Sequence, residues 1–348
     1  MWQKLNPMAE LFASFNVFKT YVGGRINTSI ELASLEPTIY ETARRHITPW
    51  LGESFYDYLV AGSNLTAAET ALLPYVRRPL AILTMYEWAK VASVEVGESG
   101  MHRIESADRK SAYRYQERAY KDDALEKGYN ALETMLKYLH ANQDDLTDWR
   151  DSDEGQLHLS TLLNYASDFR LLAMAECDRY TYECIRTMIA QVQEYAVEKL
   201  LPASYWEAFQ GRYVAGTLTT QEKNVLKKMR KAIAHRAIEE AIAQKWIRIE
   251  GGRVAVHEDF GDQRNTNVTM PTTTGAGLPN THIVWGDRYT SDWVNHIKAN
   301  QSDFEGVFDE ESGGSNTDSD AWHIDSETEA VENASALVEF KNSPIYRF

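Results

Sequence analysis

The stretch "VAGSNLTAAETALL" at positions 60–73 returns as "VAGTLTTQEKNVL" at 214–226. Sliding the chain against itself by 153 residues extends the match in both directions. "EPTIYETARRHITPWLGESFYDYLVAG" from Glu36 then lies over "IAQVQEYAVEKLLPASYWEAFQGRYVAG" from Ile189. Glu41 falls on Glu194, Ala43 on Ala196, Ile47 on Leu200 and Pro49 on Pro202. After a one-residue slip around VAG, Leu65 meets Leu218, Glu69 meets Glu222, Leu73 meets Leu226 and Arg77 meets Arg230. Apolar positions kept in one register over so long a stretch imply one core pattern used twice. The expectation is therefore a duplicated helical-bundle module.

Each copy reads alike. A helix runs to a proline (37–48; 181–200), because proline disfavours helix in the residue before it. A short aromatic helix follows (50–61; 203–214) and stops at the glycine of VAG. Thr66 and Thr219 stand three residues before Glu69 and Glu222, a capping-box spacing that opens a long helix (67–92; 220–244). A pair of short strands closes each copy, "VEVGESGMHRI" in the first and "WIRIEGGRVAV" in the second, where Gly251-Gly252 signals a hairpin. Copy one then adds a long charged helix with Tyr113, Ala124, Tyr129, Leu132, Leu136 and Leu139 as its inward positions.

The domains expected from this pattern are an N-terminal segment (1–27), copy one with its extra helix (28–142) and an acidic linker (143–158). Copy two with its hairpin (159–260) and an extended acidic C-terminal arm (261–348) complete the chain. The fold class is mainly α, with a small β-hairpin in each module.

The charge supports the last boundary. The chain has a net charge of -15. Residues 261–348 hold 15 acidic and 5 basic side chains, a net of -10, which leaves -5 for the rest. From Ala299 to Phe340 there are 12 Asp or Glu and no Lys or Arg. Such a stretch is expected to be too polar to build a core of its own. On this reading, truncation after Gly261 leaves the helical body intact. The balance also speaks against a protein that coats nucleic acid along its whole surface.

Chemistry-bearing motifs are few. "YVGGRINTS" (21–29) lacks the lysine and spacing of a phosphate loop. "DEESGGSNTDSD" (309–320) lacks the ligand alternation and final glutamate of a calcium loop. Cys177 and Cys184, if on one helix, are about 10 Å apart along its axis and too distant for a disulfide. No second Cys or His pair sits at zinc spacing. No nucleophile motif is present, and the carboxylates are scattered along amphipathic helices. No catalytic residue, metal or cofactor is expected. No apolar run is long enough to span a membrane, and the N-terminus lacks a signal-peptide core.

Two features point to partners. In "TTQEKNVLKKMRKAIAHRAIEEA", Val225, Leu226, Met229, Ala232 and Ile233 share one helical arc, while Lys223, Lys227, Arg230 and Lys231 share the opposite one. The aligned helix of copy one is far less basic, so this face is a candidate contact for DNA or an acidic partner. A solvated helix face is the plain alternative. The C-terminal "VEFKNSPIYRF" restores apolar content after the acidic stretch, making Val338, Phe340, Ile345, Tyr346 and Phe348 candidate docking residues. The aromatics Trp50, Phe55, Tyr56, Tyr58, Tyr205, Trp206 and Phe209 read most simply as core.

The segment "YETARRHITPWLGESFYDYL" followed by "LTAAETALLPYVRRPLAILTMYEWA" resembles prophage proteins that carry helix–"I-x-P-x-[LI]-G"–helix modules in tandem. It is also similar, more distantly, to the head–tail connector (adaptor) proteins of tailed phages. The resemblance covers roughly residues 28–257 and rests on Ile47, Pro49, Leu51 and Gly52; copy two, with "LLPASYWE", departs from it. It implies a non-enzymatic virion protein at the head–tail interface, assembled in the host cytoplasm. Such a subunit forms a homo-oligomeric ring that binds the portal protein on one side and tail or stopper proteins on the other. Packaged DNA in the lumen is left open as a further contact. The alternatives are a winged-helix-like nucleic-acid-binding regulator built on 220–256, a helical scaffold outside a virion, and an enzyme whose site a single sequence does not reveal.

Overall fold

In a computed structural model, the described residues are 11–23, 30–92, 94–97, 100–103, 113–173, 175–243, 247–250, 253–256, 278–304 and 306–307. The chain is mainly α-helical. It divides into two compact units, residues 1–167 with 178–182, and residues 168–177 with 183–348.

The first unit is organised on helix α5 (Ala67–Val91), which begins as the capping-box spacing predicts. The Glu69 N–H donates to Thr66 Oγ1 at 3.2 Å, and the Thr66 N–H donates to Glu69 Oε2. Leu72, Val76, Leu80 and Leu83 are buried along α5 at helical spacing. Helices α1 (Phe15–Val22) and α2 (Leu32–Thr42) pack against α5, as does the long helix α6 (Arg114–Ala141). Gly128 sets the approach of α6, since a Cβ there would stand 2.5 Å from Leu83 Cδ2. Ala124, Tyr129, Leu132, Leu136 and Leu139 are buried as expected, but Tyr113 is 70% exposed. Tyr113 is the residue before the helix, so its backbone is extended and its side chain leaves the helical stripe.

Pro49 does not end a helix. Helix α2 passes into a π-helical turn over Ala43–Ile47 and then into α3 (Thr48–Leu51) with Pro49 in its first turn. The physical reason is local. Pro49 has no N–H to offer the carbonyl of Arg45. One residue earlier the ladder widens, with the Thr48 N–H reaching back five residues to the carbonyl of Ala43. The Thr48 hydroxyl donates to the carbonyl of Arg44 at 3.0 Å. Helix α4 (Glu53–Ala61) follows and ends at Gly62, whose φ of 63° suits glycine.

The acidic linker expected over 143–158 is instead part of the first unit. It forms helices α7 (Thr147–Arg150) and α8 (Asp153–Ser160), and α8 packs on α3. Its charge conceals three apolar anchors, Leu146, Trp149 and Leu159, each 1% exposed or less. Trp149 Nε1 donates to the carbonyl of Trp50 at 2.9 Å. Ser152 caps α8 by accepting from the Gly155 N–H. A strand pair, β1 (Val94–Gly97) with β2 (Gly100–Arg103), runs antiparallel between α5 and α6 in sequence.

The second unit takes in most of α9 (Ala166–Ala173) and all but the first turn of α10 (Arg179–Ala196), then α11 (Ala203–Val214) and α12 (Thr220–Ala243). Strands β3 (Ile247–Glu250) and β4 (Arg253–Val256) pair antiparallel. Gly251 and Gly252, the predicted hairpin signal, lie outside the described residues. Cys177 precedes α10 and Cys184 lies within it, so they do not share one helix; neither is in a disulfide. Trp206 and Phe209 are buried with Tyr205, as are Trp50, Phe55 and Tyr56 in the first unit, while Tyr58 is half-buried.

The expected extended arm from 261 is corrected over its first part. Leu278–Ala299 is a helix, α13, packed along α12. Trp293, Ile297 and Phe304 are each 3% exposed or less. Bulk polarity hid a stripe at four-residue spacing, Trp285, Tyr289, Trp293 and Ile297, which gives this helix an apolar side.

Candidate partner-binding face and buried polar clusters

Helix α12 begins in the same way as α5. The Thr219 N–H donates to Glu222 Oε2 at 2.9 Å and the Glu222 N–H to Thr219 Oγ1 at 3.2 Å. Arg212 on α11 donates to the same carboxylate through Nε at 3.0 Å. Burial raises the Glu222 pKa, but the Arg212 hydrogen bond and the Thr219 bonds outweigh it and hold the carboxyl below its ordinary range. Burial, then the neighbouring Glu222 charge, pushes the Tyr205 hydroxyl up to about 12.

From this start α12 becomes buried nearly all round. Besides Val225, Leu226, Met229, Ala232 and Ile233, the residues from Ala234 to Glu239 are all buried. The predicted basic face is therefore divided. Lys223 and Lys227 are exposed, whereas Arg230 and Lys231 are half-buried and engaged within the unit. Arg230 Nη2 donates to Tyr213 Oη at 3.0 Å. Lys231 Nζ sits 5.1 Å from the centre of the Tyr289 ring on α13. Lys228 donates to the carbonyl of Asp292 at 3.4 Å, and Arg236 donates to Asp287 at 2.6 Å. Of these contacts with α13, only that of Arg236 is with a carboxylate, and Arg236 is not one of the four predicted residues. The candidate docking residues Val338, Phe340, Ile345, Tyr346 and Phe348 lie outside the described residues.

Two polar clusters in the first unit were not anticipated. The π turn carries His46 inward, where it is 8% exposed. Its Nδ1 lies 3.1 Å from Tyr129 Oη and its Nε2 lies 3.4 Å from Glu87 Oε1. Lys90, at 2.7 Å, and Arg45 share the Glu87 carboxylate. Burial lowers the His46 pKa, against the raising effect of Glu87. Glu87 is raised by burial, but Lys90, His46 and Arg45 outweigh this and leave it lowered. This neutral histidine ties the π turn to α5 and α6. The sequence signal was Pro49, which forces the irregular turn that aims His46 inward.

The second cluster centres on Glu133 of α6. It accepts from the N–H groups of Ala166 and Ser167 at 3.0 and 3.3 Å, pairs with Lys137 at 2.9 Å and lies 3.9 Å from Arg179. Arg179 is 1% exposed, donates to the carbonyl of Asn164 at 2.7 Å and lies over the rings of Trp50 and Tyr182. Burial raises the Glu133 pKa, and Lys137, Ser167 and Arg179 more than reverse it.

These groups set an acid limit on stability. A lowered histidine pKa means that the unfolded chain takes up a proton that the folded chain refuses, so stability falls once pH drops below 6.5. Lowered carboxyl pKa values at Glu133, Glu87 and Glu222 give stability present above 4.5 and lost as pH falls through their folded values. Urea melts from pH 8 to pH 3 are expected to show both limbs. In His46→Gln the loss between pH 6.5 and 5 should shrink, by up to about 1.4 kcal/mol per pH unit. An unchanged slope in that window would remove His46 from this role.

Among the described residues, no group of three or more His, Cys, Asp or Glu is placed to hold a metal ion, and no helix is long and apolar enough to cross a membrane. The family described as "Family of unknown function (DUF6712)" matches residues 47–157, less than half of the chain. That match begins at the π turn and ends within α8, so it takes in the closure of α3 by α7 and α8 and leaves out α12 and α13. No curated protein and no solved structure matches the chain.

Proposed function

We propose that the chain is a non-enzymatic structural virion protein of a tailed phage or prophage, a head–tail connector subunit. It forms a homo-oligomeric ring that joins the portal protein to tail or stopper proteins, with Val338, Phe340, Ile345, Tyr346 and Phe348 docking on a partner. The reading takes the two matched segments as copies of one helical module, each with its hairpin. One observation carries it: a buried framework of the same design in each unit. In both, a VAG glycine takes a positive φ, 63° at Gly62 and 68° at Gly216. In both, the following long helix is opened by a reciprocal Thr–Glu cap whose glutamate is buried. In both, that glutamate receives a hydrogen bond from the residue two places before the VAG valine, Tyr58 to Glu69 at 3.1 Å and Arg212 to Glu222 at 3.0 Å. A chain with two related modules offers two related faces, which suits neighbour-to-neighbour contacts closed into a ring by rotation.

Electron microscopy of the full chain, alone and mixed with a portal protein from the same genome, tests this. Rings that stack on the portal are the expected result. A chain that stays monomeric with the portal present, and that is missing from purified particles, overturns the proposal. The winged-helix alternative is the weaker one, because α13 occupies a side of α12 and holds Lys231 and Arg236. Tight, salt-dependent binding of duplex DNA by the purified chain would favour it instead.

A further inference from the structure

Many cations of this chain stand beside a carboxylate. Arg44, Arg45, Lys90, Lys127 and Lys137 each have one within 4 Å, as do Arg212 and Arg236. Four cations of the helix pair α12–α13 differ from these, although Arg236 of α12 is itself paired with Asp287 of α13. Lys223, Lys227, Lys231 and Arg288 have no ion pair among the described residues. The three lysines follow one another at four-residue steps, so they share one helix face over about 12 Å. Lys231 lies over Tyr289, Tyr289 stacks on Trp285 at 5.6 Å, and Arg288 lies 5.1 Å over Trp285. A fourth cation thus joins the end of the lysine row. Like charges at this spacing repel one another and are destabilising unless an anion lies between them.

The chain contains that anion. Residues 309–329 carry eight Asp or Glu and no Lys or Arg. Helix α13 runs antiparallel to α12: His296 meets Gln221 at 3.1 Å, Lys228 meets Asp292, and Arg236 meets Asp287. The backbone leaving α13 therefore sets out from the end of α12 where Lys223 lies. Four extended residues span about 13 Å, so 21 residues amply cover the row. A segment tethered this close is present at an effective concentration in the millimolar range.

We propose that residues 309–329 lie along Lys223, Lys227, Lys231 and Arg288 of the same chain, forming an intramolecular electrostatic clasp. The clasp screens the cationic row from other polyanions and leaves the apolar end at 338–348 to meet a partner. It does not depend on the virion reading, and its test reads neither rings nor particles.

The test is zero-length carbodiimide coupling of the full chain, using an incubated mixture of unlabelled and 15N-labelled protein, followed by peptide mass spectrometry. Same-isotope links from Lys223 and Lys227 to acidic residues of 309–329 are expected. Their yield should fall several-fold at 0.5 M salt, where screening acts within about 4 Å. The variant D309N/E310Q/E311Q should lower the yield at least about threefold with unchanged circular dichroism, since neutralised carboxyls hold the row less strongly. Abundant mixed-isotope links would assign the row to a neighbour's arm and overturn the intramolecular clasp. Absence of links to 309–329 would also overturn it, and protection of these lysines by added duplex DNA would then name the competing occupant.

Discussion

A chain truncated after Gly261 is expected to lose the cooperative fold of its second unit. The deletion removes α13 and with it Trp293, Ile297 and Phe304, all buried. It strips α12 where α12 most needs cover, around Ala234–Glu239, and leaves Arg236 without Asp287. Losing a single buried tryptophan side chain costs about 3–5 kcal/mol. Losing three large side chains together costs an amount comparable to the whole margin of roughly 5–15 kcal/mol on which most domains stand. Circular dichroism and differential scanning calorimetry of 1–261 should show one surviving transition, from the first unit, and a helix loss larger than α13 alone accounts for. Truncation after Val307 is the control and should keep α13 and both transitions of the full chain. If 1–261 melts normally, α13 is an ornament and the packing argument is wrong.

Gly155→Ala is expected to be the most damaging single methyl in the first unit. A Cβ there would stand 1.9 Å from the carbonyl oxygen of Trp149 and 2.9 Å from its carbonyl carbon. Both are backbone atoms, fixed by the bond from Trp149 Nε1 to the carbonyl of Trp50 and by the Ser152 cap. No side chain can swing aside, so α8 must move away from α7. Overpacking of this kind costs about 3 kcal/mol, at the upper end of its usual range. Ser152→Ala, which removes only the cap, should cost about 1 kcal/mol. The two melting curves compared directly decide the matter, and equal effects would mean that the α7–α8 turn relaxes freely.

The parts of this fold that were legible in the sequence are those fixed by short-range chemistry. The predicted 203–214 is α11, and 67–92 and 220–244 differ from α5 and α12 by one residue at one end. Their starts are set by capping boxes or proline, and the end of α11 is followed by the positive-φ Gly216, all readable within a few residues. What failed to show was whatever depends on a few apolar residues inside polar surroundings. Trp149 sits among aspartates in 143–158, and Trp293 sits in a segment dominated by Thr, Asn and acidic residues, so composition outvoted pattern in both. The basic face of α12 is divided for a related reason. Periodicity gave α12 one buried side, and only the presence of α13 turns Lys231 and Arg236 from solvent-facing groups into packing groups. His46 was invisible because a π turn rotates the face that ordinary helical spacing assigns to it.

The boundary between the units has a temporal meaning. Residues 168–177 belong to the second unit, yet residues 178–182 return to the first, bringing Arg179 to Trp50 and Glu133 and Tyr182 to the carbonyl of Leu163. During synthesis, the first unit remains incomplete until residue 182 has left the ribosome. By then ten residues of the second unit already hang as a loop whose two ends are anchored in the first. The second unit therefore never begins from a free chain end. It grows from a tethered loop, and no single cut in the backbone yields the two units as separate, whole pieces.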